Sequence, residues 1–271
     1  VHIETIDQLD NESIKIGLGE NGFNRILTMG SIERESEVIT GALELQGYDG
    51  PWNDIDEDVN KVNGFFKFAR NNELGDRSIT AMIYDNEWNS ADQIPSRAIS
   101  GGVIDDFGSL DKTLGGSTHR ISLSSEYNHD HKTNQVVWRS YIIDYELDLW
   151  SNFTYFLDNP VDGDQFKQKD KRTIFGGSYE NIWIGGAQTF TEHRFGMDIR
   201  HDSIDKVGLY RSKDREITGP IREDQVDESS LSSFYEMSFD LKTDWRAVLG
   251  IRADAYKFKV KSKDYNQTDD E

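Results

Sequence analysis

The chain has 271 residues and a net charge of −20, with 35% hydrophobic residues, 23 glycines, 4 prolines and no cysteine. The acidic surplus excludes nucleic acid as a partner, because phosphate binding rests on clustered Lys and Arg. Missing cysteines exclude disulfides, thiolate metal centres and cysteine nucleophiles. No run approaches 18 apolar residues, which excludes a membrane-spanning helix but not a membrane-spanning strand, apolar only at alternate positions.

In chain order, residues 1–10 carry neither a basic nor an apolar leader pattern and lead into the first strand-like stretch, 11–18, with Ile14, Ile16 and Leu18 in step. The turn Glu20-Asn21-Gly22 is a strong hairpin cue and leads to a second strand over 23–33. Ile39, Gly41, Leu43 and Leu45 alternate with Thr40, Ala42, Glu44 and Gln46 in a third strand over 36–48. The same period predicts strands over 60–70, 75–88, 117–128, 134–149, 169–181, 187–202, 228–242 and 245–262.

The clearest alternation is in residues 140–149. There Tyr141, Ile143, Tyr145, Leu147 and Leu149 form an apolar set and Ser140, Ile142, Asp144, Glu146 and Asp148 a polar one. A period of two over ten residues matches the length of a tilted strand crossing a bilayer. The joints sort by length: after the Asn-Gly hairpin, long ones at 49–59, 89–116, 150–168 and 203–227 alternate with short ones. Long loops on one side and tight turns on the other are the threading of an antiparallel transmembrane β-barrel, here about eleven strands of it. Tyr127, Trp183 and Trp245 fall near the short-turn side, where an interfacial aromatic girdle belongs.

On this reading the apolar set of each strand, Leu147 included, faces hydrocarbon. The charged set lines a wet lumen: Asp144, Glu146, Asp148, Arg194, Asp198, Arg200, Asp240, Arg252 and Asp254. Ligand capture falls to the long loops and their bases, where Trp52, Tyr84, Trp88, Asn89, Trp150, Phe153 and Tyr155 combine aromatic faces with polar partners.

Other chemistry finds little support. Gly17-x-Gly19-x-x-Gly22 imitates a dinucleotide fingerprint, but a strand rather than a helix follows it. His129-Asp130-His131 sits in a predicted turn, and the acidic run Asp54 to Asp58 lacks the spacing of an EF-hand loop, so no metal and no cofactor is assigned. No nucleophile elbow or acid/base pair across a cleft marks an enzyme.

Several stretches resemble the barrel portion of TonB-dependent outer-membrane receptors. They include Tyr48-Asp49-Gly50-Pro51-Trp52, the run from Ala81-Met82-Ile83-Tyr84-Asp85-Asn86-Glu87-Trp88 to Gln93-Ile94-Pro95, Ile104-Asp105-Asp106-Phe107-Gly108, Leu149-Trp150-Ser151-Asn152-Phe153-Thr154-Tyr155-Phe156, Gly163-Asp164-Gln165-Phe166 and Val248-Leu249-Gly250-Ile251-Arg252. The resemblance implies a 22-stranded barrel filled by a plug, with residues 1–10 as the end of the plug and 11–271 as roughly the N-terminal half of the barrel. It further implies a place in a Gram-negative outer membrane, contact with its lipid, coupling to the TonB complex through a plug segment absent from this sequence, and a small-molecule ligand such as a siderophore or glycan. The alternative is a secreted or surface-attached β-rich binding module, for instance for glycans, using the same aromatic loops.

Overall fold

The computed structural model describes residues 5–185, 191–242 and 245–263. Within them lie eleven strands: β1 (Ser13–Leu18), β2 (Asn24–Arg34), β3 (Glu37–Tyr48), β4 (Val59–Arg70), β5 (Asp76–Asn89), β6 (Gly115–His131), β7 (Asn134–Ser151), β8 (Phe166–Gly185), β9 (Thr191–Lys213), β10 (Glu216–Lys242) and β11 (Trp245–Lys263). One five-residue helix, α1 (Ser96–Ser100), lies in the loop between β5 and β6. Each strand pairs antiparallel with its chain neighbours in the order β1 to β11. The two end strands do not meet, so the sheet is all-β, antiparallel and open.

Burial is inverted relative to a soluble sandwich. Large apolar side chains on one face are exposed, among them Leu43, Phe66, Ile83, Leu123, Ile142 and Ile199, whereas Thr40, Thr80, Ser122 and Ser232 on the other are buried. A water-soluble sheet hides its apolar face; this one turns it outward and shields its polar face within the curve, as a membrane wall does.

The register makes the two faces continuous. On the outside, Gly41 stands opposite Phe66, Phe66 opposite Ala81, Ala81 opposite Leu123, Leu123 opposite Ile142 and Ile142 opposite Phe175. The adjacent inner row runs Thr40, Lys67, Thr80, Ser124, Tyr141, Gly176, Arg200 and Ser230.

This continuity corrects the reading of β7. Asp144, Glu146 and Asp148, expected in the lumen, share the outer face with Ile121 and Leu123, while Tyr141, Ile143, Tyr145, Leu147 and Leu149 point inward. Contacts on both faces account for it. The inner Tyr141 lies across Gly176, where a Cβ would fall 2.5 Å from its hydroxyl. Outside, the carboxylates meet β8: Glu146 lies 2.9 Å from Lys169 and 3.1 Å from Lys171, and Asp148 lies 3.1 Å from Lys167. The apolar band on these two strands ends at Ile142 and Phe175, so beyond them the outer face meets water and is charged.

The predicted long loop 203–227 is also corrected. β9 continues to Lys213, β10 begins at Glu216, and only Asp214 and Arg215 turn between them, at φ 52° and 68°. Likewise β8 continues through Gly185 where a turn was expected from Ile182, and β6 carries His129 and His131 in the strand. The joints after β8 and after β10 lie outside the described residues.

Near the short-turn ends, Trp183 stacks on His193 at 5.1 Å, and the Tyr235 hydroxyl lies 2.6 Å from His193 Nδ1. All three are on the outer face, together with Tyr127 and Trp138.

Candidate functional site: the outer loop cluster

The joints on the far side from those short turns do not stand apart. Segments 49–58, 90–114 and 152–165 and the tip of the β9–β10 hairpin dock on one another through buried polar groups.

Arg215 is the clamp. Its guanidinium donates to the Thr113 carbonyl (2.8 Å), the Leu114 carbonyl (2.8 Å) and Asn89 Oδ1 (2.7 Å), and its backbone N–H donates to Gln165 Oε1 (3.0 Å). Its carbonyl accepts from the Trp150 indole (3.2 Å), and the indole face carries both Arg215 and Lys167, the latter 4.4 Å from the ring centre. Gln165 also accepts from Ser212 Oγ (2.9 Å) and donates to Asp111 (3.0 Å) and Thr113 Oγ1 (2.7 Å). Charge-assisted bonds of this kind are the strong ones.

Asn152 carries the cluster into the third loop. Its amide nitrogen donates to Asp111 (3.0 Å), its backbone N–H to Asp92 (2.8 Å), and its side-chain oxygen accepts from the Tyr155 N–H (2.8 Å). The Tyr155 hydroxyl donates to the Gln93 carbonyl (2.8 Å). Burial, reinforced by the charges of Asp92 and Asp111, pushes this phenol up to about 12. Burial also raises the Asp92 carboxyl, with Asp111 adding like-charge repulsion. For Asp111 burial acts upward too, but the bonds from Asn152, Thr113 and Gln165 prevail and hold it below the usual carboxylate range.

The first loop closes onto the second. Trp52 donates to Glu57 (2.6 Å) and leans on Phe107, Asn53 N–H donates to the Phe107 carbonyl (3.0 Å), and Asp54 accepts from Ser109 N–H (3.1 Å) and pairs with Lys112 at 3.3 Å. Asn89 reaches back to the Asp56 carbonyl (3.0 Å) and Asp58 (3.2 Å).

Of the residues singled out for ligand capture, then, Asn89, Trp150 and Tyr155 hold the loops together, and Trp52 braces the first loop. Tyr84 and Trp88 lie on the inner face of β5, opposite Arg120 and Gly116. Phe153 is exposed and packs edge-on to Phe166 at 5.4 Å. Of the lumen set, Arg194, Asp198, Arg200, Asp240, Arg252 and Asp254 lie on the inner face; Arg194 pairs with Glu180 at 3.1 Å and Arg200 with Asp202 at 2.6 Å.

Two features escaped sequence reasoning. One is Arg215, placed in a segment read as loop. The other is a cleft of about 650 Å³ between the third loop and the β9–β10 hairpin, lined by Thr154, Asp158, Asp162, Arg211, Thr218 and Ile221. Its size suits a small organic solute. Among the described residues no three His, Asp or Glu side chains converge as a metal would require.

At the opposite end the N-terminal segment lies on the inner wall. Lys67 donates to the Thr5 carbonyl (2.8 Å) and pairs with Asp7 (2.5 Å), Thr40 Oγ1 donates to the Asp7 carbonyl (2.5 Å), and Leu9 N–H donates to Ser31 Oγ (2.9 Å). Residues 5–10 thus cross β2, β3 and β4 from within, near their short-turn ends.

No family model and no curated sequence matches the chain. Among solved structures it superposes on the ferric citrate transporter FecA in its unliganded form, with a TM-score of 0.70 at 11% identity. The match covers 93% of this chain and 38% of FecA. At that identity the likeness is one of fold: the eleven strands follow the course of part of a transporter barrel, and the chain spans well under half of that transporter's length.

Proposed function

We propose that the chain forms part of the wall of an outer-membrane, TonB-energised transporter that binds a scarce solute at its outer loops and admits it past a plug. The observation that carries this reading is the pairing of an outward apolar face with a polar concave face on which residues 5–10 are already seated. A surface binding module has no use for either. Residues 5–10 are the end of the plug on this reading, and the charged inner rows give it partners that are individually weak while wet and therefore reversible.

Solute contact falls to Phe153, to the cleft beside Arg211, and to Tyr84 and Trp88 on the inner wall below the loops. The test uses cells expressing the full-length protein and a panel of labelled ferric chelates and oligosaccharides, ferric citrate included. Accumulation of one member should collapse when the inner-membrane proton gradient is dissipated. Uptake that survives this treatment would mark a passive pore, and absence from the outer-membrane fraction would sink the transporter reading altogether.

A further inference from the structure

Beside the cleft, β10 breaks its ladder with β9 twice. Ile217 pairs with Ser212 and Gly219 with Arg211, leaving Thr218 as an extra residue; Pro220 pairs with Tyr210 and Arg222 with Leu209, leaving Ile221 as another. A bulge bends its strand and re-aims the side chain it carries, and both extra residues line the cleft between the hairpin and the third loop. Arg211 lines it too, from a strand paired on both sides, to β8 and to β10. The loop is fastened to the hairpin at two points: Gln165 accepts from Ser212 Oγ (2.9 Å) and from the Arg215 N–H (3.0 Å), and Lys213 Nζ lies 2.9 Å from Asp162. The two walls are thus held at a set separation.

The charged groups of the cleft divide into engaged and open ones. Asp164 accepts from the N–H groups of Leu157 (2.8 Å), Asp158 (3.1 Å) and Asn159 (2.7 Å) and so holds the tip of its own loop, while Asp162 is taken by Lys213. Arg211 on the hairpin and Asp158 on the loop are exposed and form no ion pair with each other or with any other described residue. Phe166, Leu209 and Ile221 add apolar surface. A simple anion here would meet Asp158, a simple cation would meet Arg211, and an uncharged solute would strip water from both without replacing it. A solute carrying both charges satisfies both walls.

We propose that this cleft binds a short apolar peptide by its two termini, the carboxylate on Arg211 and the ammonium on Asp158, with the peptide side chains against Phe166, Leu209 and Ile221. The proposal rests on the transporter reading above and names the class of solute for that site. A guanidinium offers a carboxylate two parallel N–H donors, and each charged contact is worth about tenfold in affinity.

The test takes the full-length protein, refolded in neutral detergent and checked for the heat-dependent gel shift of a closed barrel. Trileucine with free termini, N-acetyl-trileucine, trileucine amide and triglycine are the probes, with affinity read by isothermal titration at pH 7. Either blocked peptide should bind wild type about tenfold more weakly than free trileucine, and triglycine should bind at least tenfold more weakly. Asp158→Asn should lose about tenfold for free trileucine and nothing further for the N-acetylated peptide, and Arg211→Gln should do the same with the amide. Arg97→Gln, in α1 away from the cleft, should bind as wild type. No binding of trileucine, equal binding of free and blocked peptides, triglycine as tight as trileucine, or a loss in Asp158→Asn and Arg211→Gln that ignores which terminus is blocked would each overturn the proposal. Wild-type protein that gives no heat-dependent shift would instead sink the membrane reading on which it rests, a failure distinct from that of the peptide arms.

Discussion

Arg215 sits in the left-handed backbone region that a two-residue hairpin turn ordinarily gives to glycine or asparagine, and Asp214 before it does the same. A non-glycine residue there costs about 1–3 kcal/mol, and the guanidinium bonds to Asn89, Thr113 and Leu114 offset it. Two substitutions separate these terms. Arg215→Ala loses the clamp and keeps the strain, whereas Arg215→Gly loses the clamp and relaxes the turn. Both should open the outer loops to limited proteolysis, with Arg215→Ala the less stable by about 1 kcal/mol in thermal unfolding.

The neighbouring titratable groups give the cluster a pH window. Tyr155, whose folded value is raised to about 12, contributes stability that is complete below its ordinary value and lost as pH rises through about 12. Asp111, held low, contributes stability present above its ordinary carboxylate value and lost as pH falls through the depressed one. Asp92 runs opposite to Asp111, its raised value favouring the protonated form. Loop protection against protease should therefore fail at both extremes, and Tyr155→Phe should remove the alkaline failure. Alkaline loosening that persists in Tyr155→Phe would assign that limb to another group.

At the level of single strands, alternation located all eleven elements, yet it carries no sign: it separates two faces without saying which is outer. The assignment came from apolarity, and this worked where one set was plainly greasy, as in Ile39, Leu43 and Leu45. It failed on β7, where the apolar set lines the inside, and the deciding information is the pairing with β6 and β8, which is non-local. The β9–β10 hairpin was missed for a different reason, since Asp214 is followed by Arg215 and not by the glycine that marks such a turn, and the Arg215 conformation is held by bonds to loops far away in sequence. The outer cluster was legible as aromatic loops, but not the structural duty of Trp150 and Tyr155, which depends on partners such as Arg215, 65 residues from Trp150.

The corrected faces predict a contrast. Leu123→Arg, in the middle of the outer apolar row, should cost about 2–4 kcal/mol and block membrane assembly. Ser124→Arg, one residue on and inward, should assemble normally. Leu147→Arg, inward and beyond the band, should also assemble. The heat-dependent gel shift of the full-length protein checks all three, and failure of Ser124→Arg alongside Leu123→Arg would reverse the assigned faces.

For the whole molecule, the charged contact that joins wall and N-terminal segment is Lys67, only 5% exposed and holding both Thr5 and Asp7, beside the hydrogen bonds from Thr40 and to Ser31. Lys67→Met should leave the barrel assembled but release the N-terminal segment. A single Asp10→Cys reporter, in the full-length protein with any cysteine outside these 271 residues replaced, reads this release, and its labelling by a maleimide should accelerate at least severalfold in the Lys67→Met background. Unchanged labelling would show that Ser31 and Thr40 hold the segment without the lysine.

From β2 to β10 the strands lengthen from 11 to 27 residues, or from about 36 Å to about 90 Å at 3.3 Å per residue. The outer rim is therefore a ramp and not a level collar. On the transporter reading proposed above, a bulky particle would meet the tall flank of β9 and β10 before the lower rim at β2 to β4, so the profile of these strands would itself sort visitors by size before any side chain touched them.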